Sequence, residues 1–215
     1  MQPTITTEDN NNSSSTGGGN SLKVLGIASS LRTQSYSTRT LKIALEHAQA
    51  QGAEIRLLEL SKNPIPFYNP SSMPETKELQ HVSESVSWAD AFILASPDYH
   101  GSMSGTLKNM LDYFYEEFAG KVFGYIVASH EKGLTVMEQM RTAVRQCYGW
   151  SMPYGVSING EQDFKSGEIV NARIAGRLRM MSRDLVVYGK LVRDQFARDI
   201  ASGEQDTFAA RYRAS

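Results

Sequence analysis

The sequence predicts a three-layer α/β domain in which helices cover both faces of a five-stranded, doubly wound parallel sheet. Its 215 residues are enough for one ordinary domain and a tail. Five short apolar runs, typical of buried strands, alternate with longer segments whose apolar residues recur every three or four positions, typical of helices. Repeated strand–helix–strand order indicates parallel strands joined by right-handed crossovers, with helices on both faces.

The five predicted strands are short runs of β-branched and other apolar residues. They span residues 22–28, 54–60, 91–95, 122–128 and 154–158. Pro153 precedes the last of these runs. Because proline cannot donate a hydrogen bond to a β-ladder, we expect this strand to begin after Pro153 and to lie at an edge of the sheet.

The strongest helical pattern spans residues 105–118, where six apolar side chains recur at helical spacing: Leu107, Met110, Leu111, Phe114, Tyr115 and Phe118. A helix is also predicted to begin near Ser35. Weaker apolar stripes predict three further helices, the first of them the helix that begins near Ser35. The stripe of the first helix is Leu41, Ala44, Leu45 and Ala48, that of the second is Val136, Met140, Ala143 and Cys147, and that of the third is Ile174, Leu178, Met181 and Leu185. Cys147 lies on an apolar stripe, which favours a buried, inert thiol over a nucleophile.

The chain divides into a tail, a domain and an extension. Residues 1–20 are polar, lack aromatic side chains and end near a glycine run, so we predict a disordered N-terminal tail. Residues 21–195 form the predicted domain, and residues 196–215 a C-terminal extension. Within the domain, residues 63–74 contain four prolines and are predicted to form a long stiff loop of the kind that often lines a site.

Composition excludes several classes of function. The formal net charge of -1 provides no basic surface for nucleic acid, and no run is apolar enough for a membrane span or a secretory signal. A single cysteine excludes an internal disulfide and fits the cytoplasm. Four scattered histidines without metal-ligand spacing argue against a metal site, and no G-x-S-x-G motif supports a hydrolase.

The loop after the first strand, ASSLRTQSYS at residues 28–37, is rich in hydroxyl groups. The helix that follows begins with unpaired N–H groups and the positive end of its dipole, where anions bind. Ser30, Ser35 and Ser37 offer neutral donors and Arg32 a forked cation, a set that suits a phosphate monoester. The alternative is that the serines only cap the helix. The Walker and G-x-G-x-x-G motifs are missing from this loop.

A second polar loop, SPDYHGSMSGTLKN at residues 96–109, follows the third strand and also leads into a helix. In a doubly wound sheet of order 2-1-3-4-5, ligands bind beyond the carboxyl ends of strands one and three, where the winding direction reverses. Both loops are therefore expected to face one crevice. Tyr99 offers an aromatic face there, so a planar ring with a phosphate tail would fit.

Three segments together resemble the NADPH-dependent FMN reductase family of the flavodoxin-like superfamily. They are SSLRTQSYSTRTL at 29–41, PIPFYNP at 64–70 and PDYHGSMSGTLKNMLDY at 97–113. The similarity in spacing extends from about residue 22 to about residue 160, and the third segment is the most specific. The resemblance implies a flavodoxin-like fold of strand order 2-1-3-4-5, with FMN as cofactor and NADPH as co-substrate.

The resemblance also implies which residues bind the flavin. The FMN phosphate would be held by Ser30, Arg32, Ser35, Tyr36 and Ser37. The isoalloxazine would be bordered by Pro97, Asp98, Tyr99, His100 and Gly101, with Ser129 closing the far side. This sequence departs from the family pattern at Ser29, where glycine is usual, and at Ser37 and His100, where asparagine is common. The segment SHEKG at 129–133 replaces a glycine-rich run and brings charge near the flavin rim.

The implied activity is that of an FMN-dependent NAD(P)H oxidoreductase. It would transfer hydride from NADPH to FMN and pass the electrons to a small acceptor such as a flavin or a quinone. The flavin carries the chemistry, so no catalytic side chain is predicted. Family resemblance further implies a homodimer or homotetramer. Two alternatives remain: a flavodoxin-like carrier that docks to redox partners without oxidising NADPH, which the near-neutral charge disfavours, and a sensor of a phosphate ligand.

Overall fold

The computed structural model describes residues 21–212. The predicted disordered tail at residues 1–20 lies outside the described residues. The described chain forms a three-layer α/β fold with a central parallel sheet, as the sequence predicts.

The central sheet has the predicted strand order 2-1-3-4-5. Strands β1 (Lys23–Ala28), β2 (Glu54–Glu59), β3 (Ala91–Pro97) and β4 (Val122–Ala128) pair in parallel in the order β2-β1-β3-β4. Every residue of β3 is buried, as expected for a central strand with both faces covered. The carboxyl ends align, since Ala28 pairs with Ala95 and Pro97 pairs with Ala128. The loops after β1, β3 and β4 consequently start at one edge.

The fifth strand is interrupted, which corrects the prediction that it begins after Pro153. Two short strands, β5 (Trp150–Ser151) and β6 (Val156–Ile158), pair in turn with the outer side of β4. Pro153 lies in the gap between them, where no ladder hydrogen bond is needed from it. Pairing therefore starts before the proline and resumes after it, at the edge position that the sequence predicted.

Helices cover both faces of the sheet. Helices α1 (Tyr36–Ala50) and α6 (Ala172–Ser202) pack with Val24, Ile93 and Ile126 on one face. On the other, α2 (Lys77–Trp88), α3 (Gly105–Leu111) and α4 (Leu134–Gln146) pack with residues such as Phe92 and Phe123. Alternate strand residues thus supply two separate apolar cores. The apolar stripes considered in the sequence did not predict α2.

The helix predicted over 105–118 ends early. Asp112 caps α3, and a separate 3₁₀ helix spans Glu116–Phe118 after a break at Tyr115, whose φ of -138° is not helical. The apolar pattern continues through the break because Phe114 and Phe118 are both buried in the core. Apart from Tyr115, the apolar side chains of this stripe recur at helical spacing over residues 105–118 because they are buried, although the backbone is not continuously helical.

The remaining elements follow β6. They are α5 (Gly160–Asp163), a small hairpin of β7 (Phe164–Lys165) and β8 (Glu168–Ile169), and α7 (Phe208–Tyr212). Helix α6 runs without a break past residue 195, and the predicted domain boundary there stays a prediction. Within residues 21–212, no helix is long and apolar enough to cross a membrane.

Candidate functional site

A cleft of about 210 Å³ lies where the loops after β1, β3, β4 and β6 converge. It is the crevice that the sequence predicted between the two polar loops, at the reversal point of the doubly wound sheet. Its walls are formed by Ser30, Arg32, Gln34, Ser35, Tyr36, Ser37, Pro97, Asp98, Tyr99, Ala128, Ser129, His130, Gly160 and Glu161. Nine of the eleven residues predicted to bind FMN are in this set.

The phosphate loop, defined here as residues 28–37, leads into the N-terminus of α1. Ser35 is the N-cap, and its hydroxyl accepts a hydrogen bond from the Thr38 N–H at 3.3 Å. That oxygen also lies 2.9 Å from the hydroxyl oxygen of Ser37. Capping thus engages Ser35, while Ser30, Ser37 and the first N–H groups of α1 offer further donors at the helix end.

Arg32 supplies the positive charge of the cleft. Its guanidinium carbon lies 5.8 Å from the centre of the Tyr99 ring, so the side chain lies between the phosphate loop and the second polar loop. No ion pair joins Arg32 to an acidic side chain of residues 21–212. Its forked donor set therefore remains open to a dianion.

The second polar loop contains a tight turn, residues 99–102. Tyr99 and Ser102 exchange two backbone hydrogen bonds of 3.0 and 3.1 Å, and the residues between them have positive φ values, 57° at His100 and 76° at Gly101. Positive φ at both central positions defines a type I′ turn, for which Asn-Gly is the favoured sequence. The turn geometry explains why asparagine suits the position that His100 occupies.

Asp98 connects the loops after β3 and β4. One carboxylate oxygen accepts a hydrogen bond from the Gly101 N–H at 2.8 Å, and the other accepts from the Ser129 hydroxyl at 2.9 Å. The Ser129 hydroxyl in turn accepts from the Glu131 N–H at 3.1 Å. Asp98 and Ser129 therefore brace the loops as well as lining the cleft.

A wider basin of about 670 Å³ adjoins the cleft. The two cavities share Asp98, Ser129 and His130, and the basin brings in the remaining predicted residues, His100 and Gly101. Glu131 and Lys132 also line it, so the charge expected from the SHEKG segment is present at this rim. All eleven predicted residues consequently lie around one continuous depression.

Helix α5 contributes one wall of the cleft, which was not predicted from the sequence. Gly160 lies against Tyr36 so closely that a Cβ atom there would be 1.9 Å from the tyrosine ring. The same ring packs with Phe164, at 5.4 Å between ring centres. Glu161 also lines the cleft, as an acidic group next to the phosphate loop. These contacts join segments more than 120 residues apart, and no local sequence signal indicates them.

The proline-rich loop at residues 63–74 is fixed to α3. The Pro66 carbonyl accepts hydrogen bonds from the Asn109 amide at 2.8 Å and from the Tyr113 hydroxyl at 3.0 Å. Partial burial, and to a lesser extent the neighbouring Tyr68, raise the pKa of Tyr113 and keep it protonated as a donor. The Phe67 side chain, by contrast, is 89% exposed.

The donor set of the cleft fits FMN. Serine hydroxyls, an arginine with no ion-pair partner among residues 21–212 and a helix N-terminus suit the phosphate. The adjoining basin, bordered by His100 and Gly101, has room for a planar ring system. Within residues 21–212, no group of three or more His, Cys, Asp or Glu side chains could hold a metal ion. Fold and cleft together define a flavodoxin-like domain whose donor groups suit a flavin mononucleotide.

Comparison with known proteins agrees with this class. Residues 22–163 match the NADPH-dependent FMN reductase family, and the chain belongs to that family. It is 29% identical over 153 residues to an FMN-dependent NADPH-azoreductase of Staphylococcus saprophyticus, covering 67% of this chain and 80% of the relative. It is 34% identical over 116 residues to an NAD(P)H-dependent FMN reductase of Pseudomonas aeruginosa, covering 51% and 61%.

A solved structure of an NADH:FMN oxidoreductase in its apo form shares the fold. Its TM-score is 0.67 at 17% identity, over 78% of this chain and 90% of that chain. Family membership confirms the predicted resemblance and makes the protein an enzyme, an FMN-dependent NAD(P)H oxidoreductase that takes its electrons from NADPH. It also decides against the alternative of an electron carrier that does not use NADPH.

Proposed function

We propose that the cleft binds the FMN phosphate and that the adjoining basin receives the substrates. The observation that carries this proposal is the meeting of the two polar loops in one depression. The phosphate would be held by Ser30, Arg32, Ser35, Tyr36 and Ser37. The isoalloxazine would be bordered by Pro97, Asp98, Tyr99, His100, Gly101 and Ser129. The chain segment 21–195 would suffice to carry these residues.

FMN, when bound, takes two electrons from NADPH and passes them to an acceptor. The residues of the cleft then have three tasks: to hold the phosphate, to fix the position of the ring and to leave one side of it accessible. The first two tasks would be served by the Arg32 side chain, by the type I′ turn and by the hydrogen bonds that Asp98 accepts from the loops. The third is served by the width of the basin. No acid–base side chain is required by these tasks.

The proposed acceptor is a small planar molecule, such as a free flavin, a quinone or an azo compound. A basin of about 670 Å³ is of the size of ordinary small-molecule sites, and it is too open to enclose a substrate completely. The Staphylococcus saprophyticus relative, named an azoreductase, supports an acceptor of this class. The proposed location is the cytoplasm, in agreement with a lone free cysteine.

A homodimer or homotetramer is the proposed assembly. Several large apolar side chains are exposed, notably Phe67 at 89% and Leu134 at 63%, and Leu134 lines the basin. A shallow groove of about 730 Å³, lined by residues of α3 and α4 and of the loop before α3, such as Met103 and Ala143, shares Thr135 with the basin. Exposed apolar side chains beside such a groove favour association. Light scattering of the purified protein tests this assembly, and a monomer at all concentrations would contradict it.

Steady-state kinetics test the proposed acceptor class. With NADPH and a quinone, an azo dye or free flavin varied in turn, we expect parallel double-reciprocal lines, because donor and acceptor would use the same basin one after the other. Intersecting lines for every acceptor would contradict a shared basin. A different result would contradict the acceptor class itself: rapid oxidation of NADPH in which neither a quinone, an azo dye nor free flavin accepts electrons faster than oxygen does.

A further inference from the structure

A chain of buried hydroxyl groups connects the phosphate loop to the loop after β3. Ser29 donates a hydrogen bond from its hydroxyl to the Ala95 carbonyl at 3.0 Å, and the Ser104 hydroxyl donates to the Ser29 hydroxyl at 2.8 Å. The Thr106 hydroxyl donates to the Ser29 carbonyl at 2.5 Å. Ser29 is 0% exposed and does not line the cleft, so its hydroxyl has no route to a ligand there.

The same chain extends to the ring side of the depression. The Ser104 N–H donates to the Ser96 hydroxyl at 3.0 Å, and that hydroxyl donates to the Pro97 carbonyl at 2.8 Å. Ser96 is also 0% exposed. Buried networks in which every member has a partner restrict the relative position of the segments that they join. One network therefore fixes the phosphate loop against the start of the second polar loop, residues 96–109, which is called the ring loop below because the isoalloxazine ring is proposed to lie there.

Both loops also have internal contacts that do not involve Ser29. In the phosphate loop, the Ser30 hydroxyl accepts from the Arg32 N–H and Ser35 caps α1. In the ring loop, Asp98 binds Gly101 and Ser129. The local shape of each subsite is thus maintained separately. The Ser29 network restrains the distance and the orientation of one loop relative to the other.

We propose that Ser29 is a positioning residue for FMN, acting with Ser104 and Thr106 to hold the phosphate subsite and the ring subsite in register. The inference rests on the proposed function, because it assumes that one FMN molecule spans both subsites. A ligand with two connected groups gains affinity only when the two subsites are spaced to receive both at once. Loss of the network should therefore affect the joined ligand more than either of its parts.

The test is equilibrium binding to the apoprotein, followed by flavin fluorescence. For Ser29→Ala we expect FMN to bind about tenfold more weakly, while riboflavin, and inorganic phosphate measured by competition, each change by less than about twofold. Thr106→Val, which removes the bond to the Ser29 carbonyl with little change in shape, should act in the same direction. It provides the test independently if Ser29→Ala fails to fold.

Ser85→Ala is the matched control. Ser85 is also buried and donates its hydroxyl to one carbonyl, that of His81 at 2.8 Å, but it lies in α2 away from both loops. Its variant should keep the FMN-to-riboflavin affinity ratio of the wild type, because α2 lies away from both loops. Unchanged FMN affinity in both Ser29→Ala and Thr106→Val would overturn the inference, and so would an equal loss for all three ligands. Failure of the wild-type protein to bind FMN would instead refute the proposed function.

Discussion

His100 combines an exposed side chain with a backbone conformation that most residues avoid. Its φ of 57° lies in the left-handed region, where asparagine and histidine are tolerated and β-branched residues are strongly disfavoured. We expect His100→Asn to retain the stability of the wild type or increase it slightly, and His100→Val to lower the free energy of unfolding by about 1–2 kcal/mol. Urea unfolding of the apoprotein measures both. A valine variant as stable as the wild type would show that the turn has another conformation.

Arg32 and Glu161 line the same cleft with opposite charge, which gives a matched pair of variants. Arg32→Gln removes a charged donor from the phosphate, so we expect FMN to bind roughly ten- to a hundredfold more weakly and riboflavin to be unaffected. Glu161→Gln removes a repulsive carboxylate at an exposed position and should strengthen FMN binding by about two- to fivefold, mostly at low salt.

Fluorescence titration with FMN and riboflavin at low and high salt measures both changes in affinity. Equal effects of Arg32→Gln on the two flavins would place the arginine away from the phosphate. Weaker FMN binding by Glu161→Gln would contradict the direction expected from simple charge repulsion.

Among the elements, α3 shows how far apolar spacing can be trusted. Its sequence stripe extends to Phe118, yet the helix ends at Leu111. Phe114 and Phe118 are both buried; Phe114 packs with Phe118, and Phe118 packs with Phe92. These contacts require no helical continuity. Periodicity reports which residues are buried, and hydrogen bonding decides whether they share a helix. At Pro153 the apolar pattern is interrupted but the strand position is not: β5 and β6 pair with β4 on either side of the proline, because an edge strand can tolerate an unpaired gap.

Cys147 is the C-cap of helix α4, and the surroundings of its side chain predict low thiol reactivity. The side chain is half-buried against the core next to Phe114, and burial, followed by the nearby acidic Asp112 and Glu117, raises the pKa of the thiol. A smaller fraction of thiolate is present at neutral pH, so we expect slower alkylation than for free cysteine. The rate of reaction with iodoacetamide measures the reactivity of the Cys147 thiol, and the same protein unfolded in urea is the control. Reaction as fast in the native state as in urea would contradict this placement.

At the scale of the whole molecule, the sequence suffices to predict the layer architecture and strand order. Alternation of strand and helix restricts the connections to right-handed crossovers, and the position of the crevice follows from the reversal of winding. All eleven proposed FMN ligands come from three loops at the carboxyl edge of the sheet, and the structure brings them around one depression. Local motifs could reveal them because each loop follows directly from a strand.

Contacts between distant segments could not be predicted in this way. The wall formed by Gly160 and Tyr36 and the network from Ser29 to Thr106 depend on how α5 and α3 pack against the phosphate loop. Helix α2 was missed because serine and charged residues dilute its apolar stripe, in which Leu79, Val82 and Val86 are the buried apolar side chains. In each case the decisive partner lies far away in the sequence or has a weak local pattern.

We propose above that this protein binds FMN in the cleft, and as a member of its family it reduces FMN with NADPH. The most direct measurement is the visible absorption spectrum of the FMN-loaded protein during anaerobic addition of NADPH, followed by a quinone. We predict that the oxidised flavin bands are bleached by NADPH and recover when the quinone is added. FMN that binds and stays oxidised, with NADPH or NADH in excess, would contradict the activity of an NADPH-dependent FMN reductase.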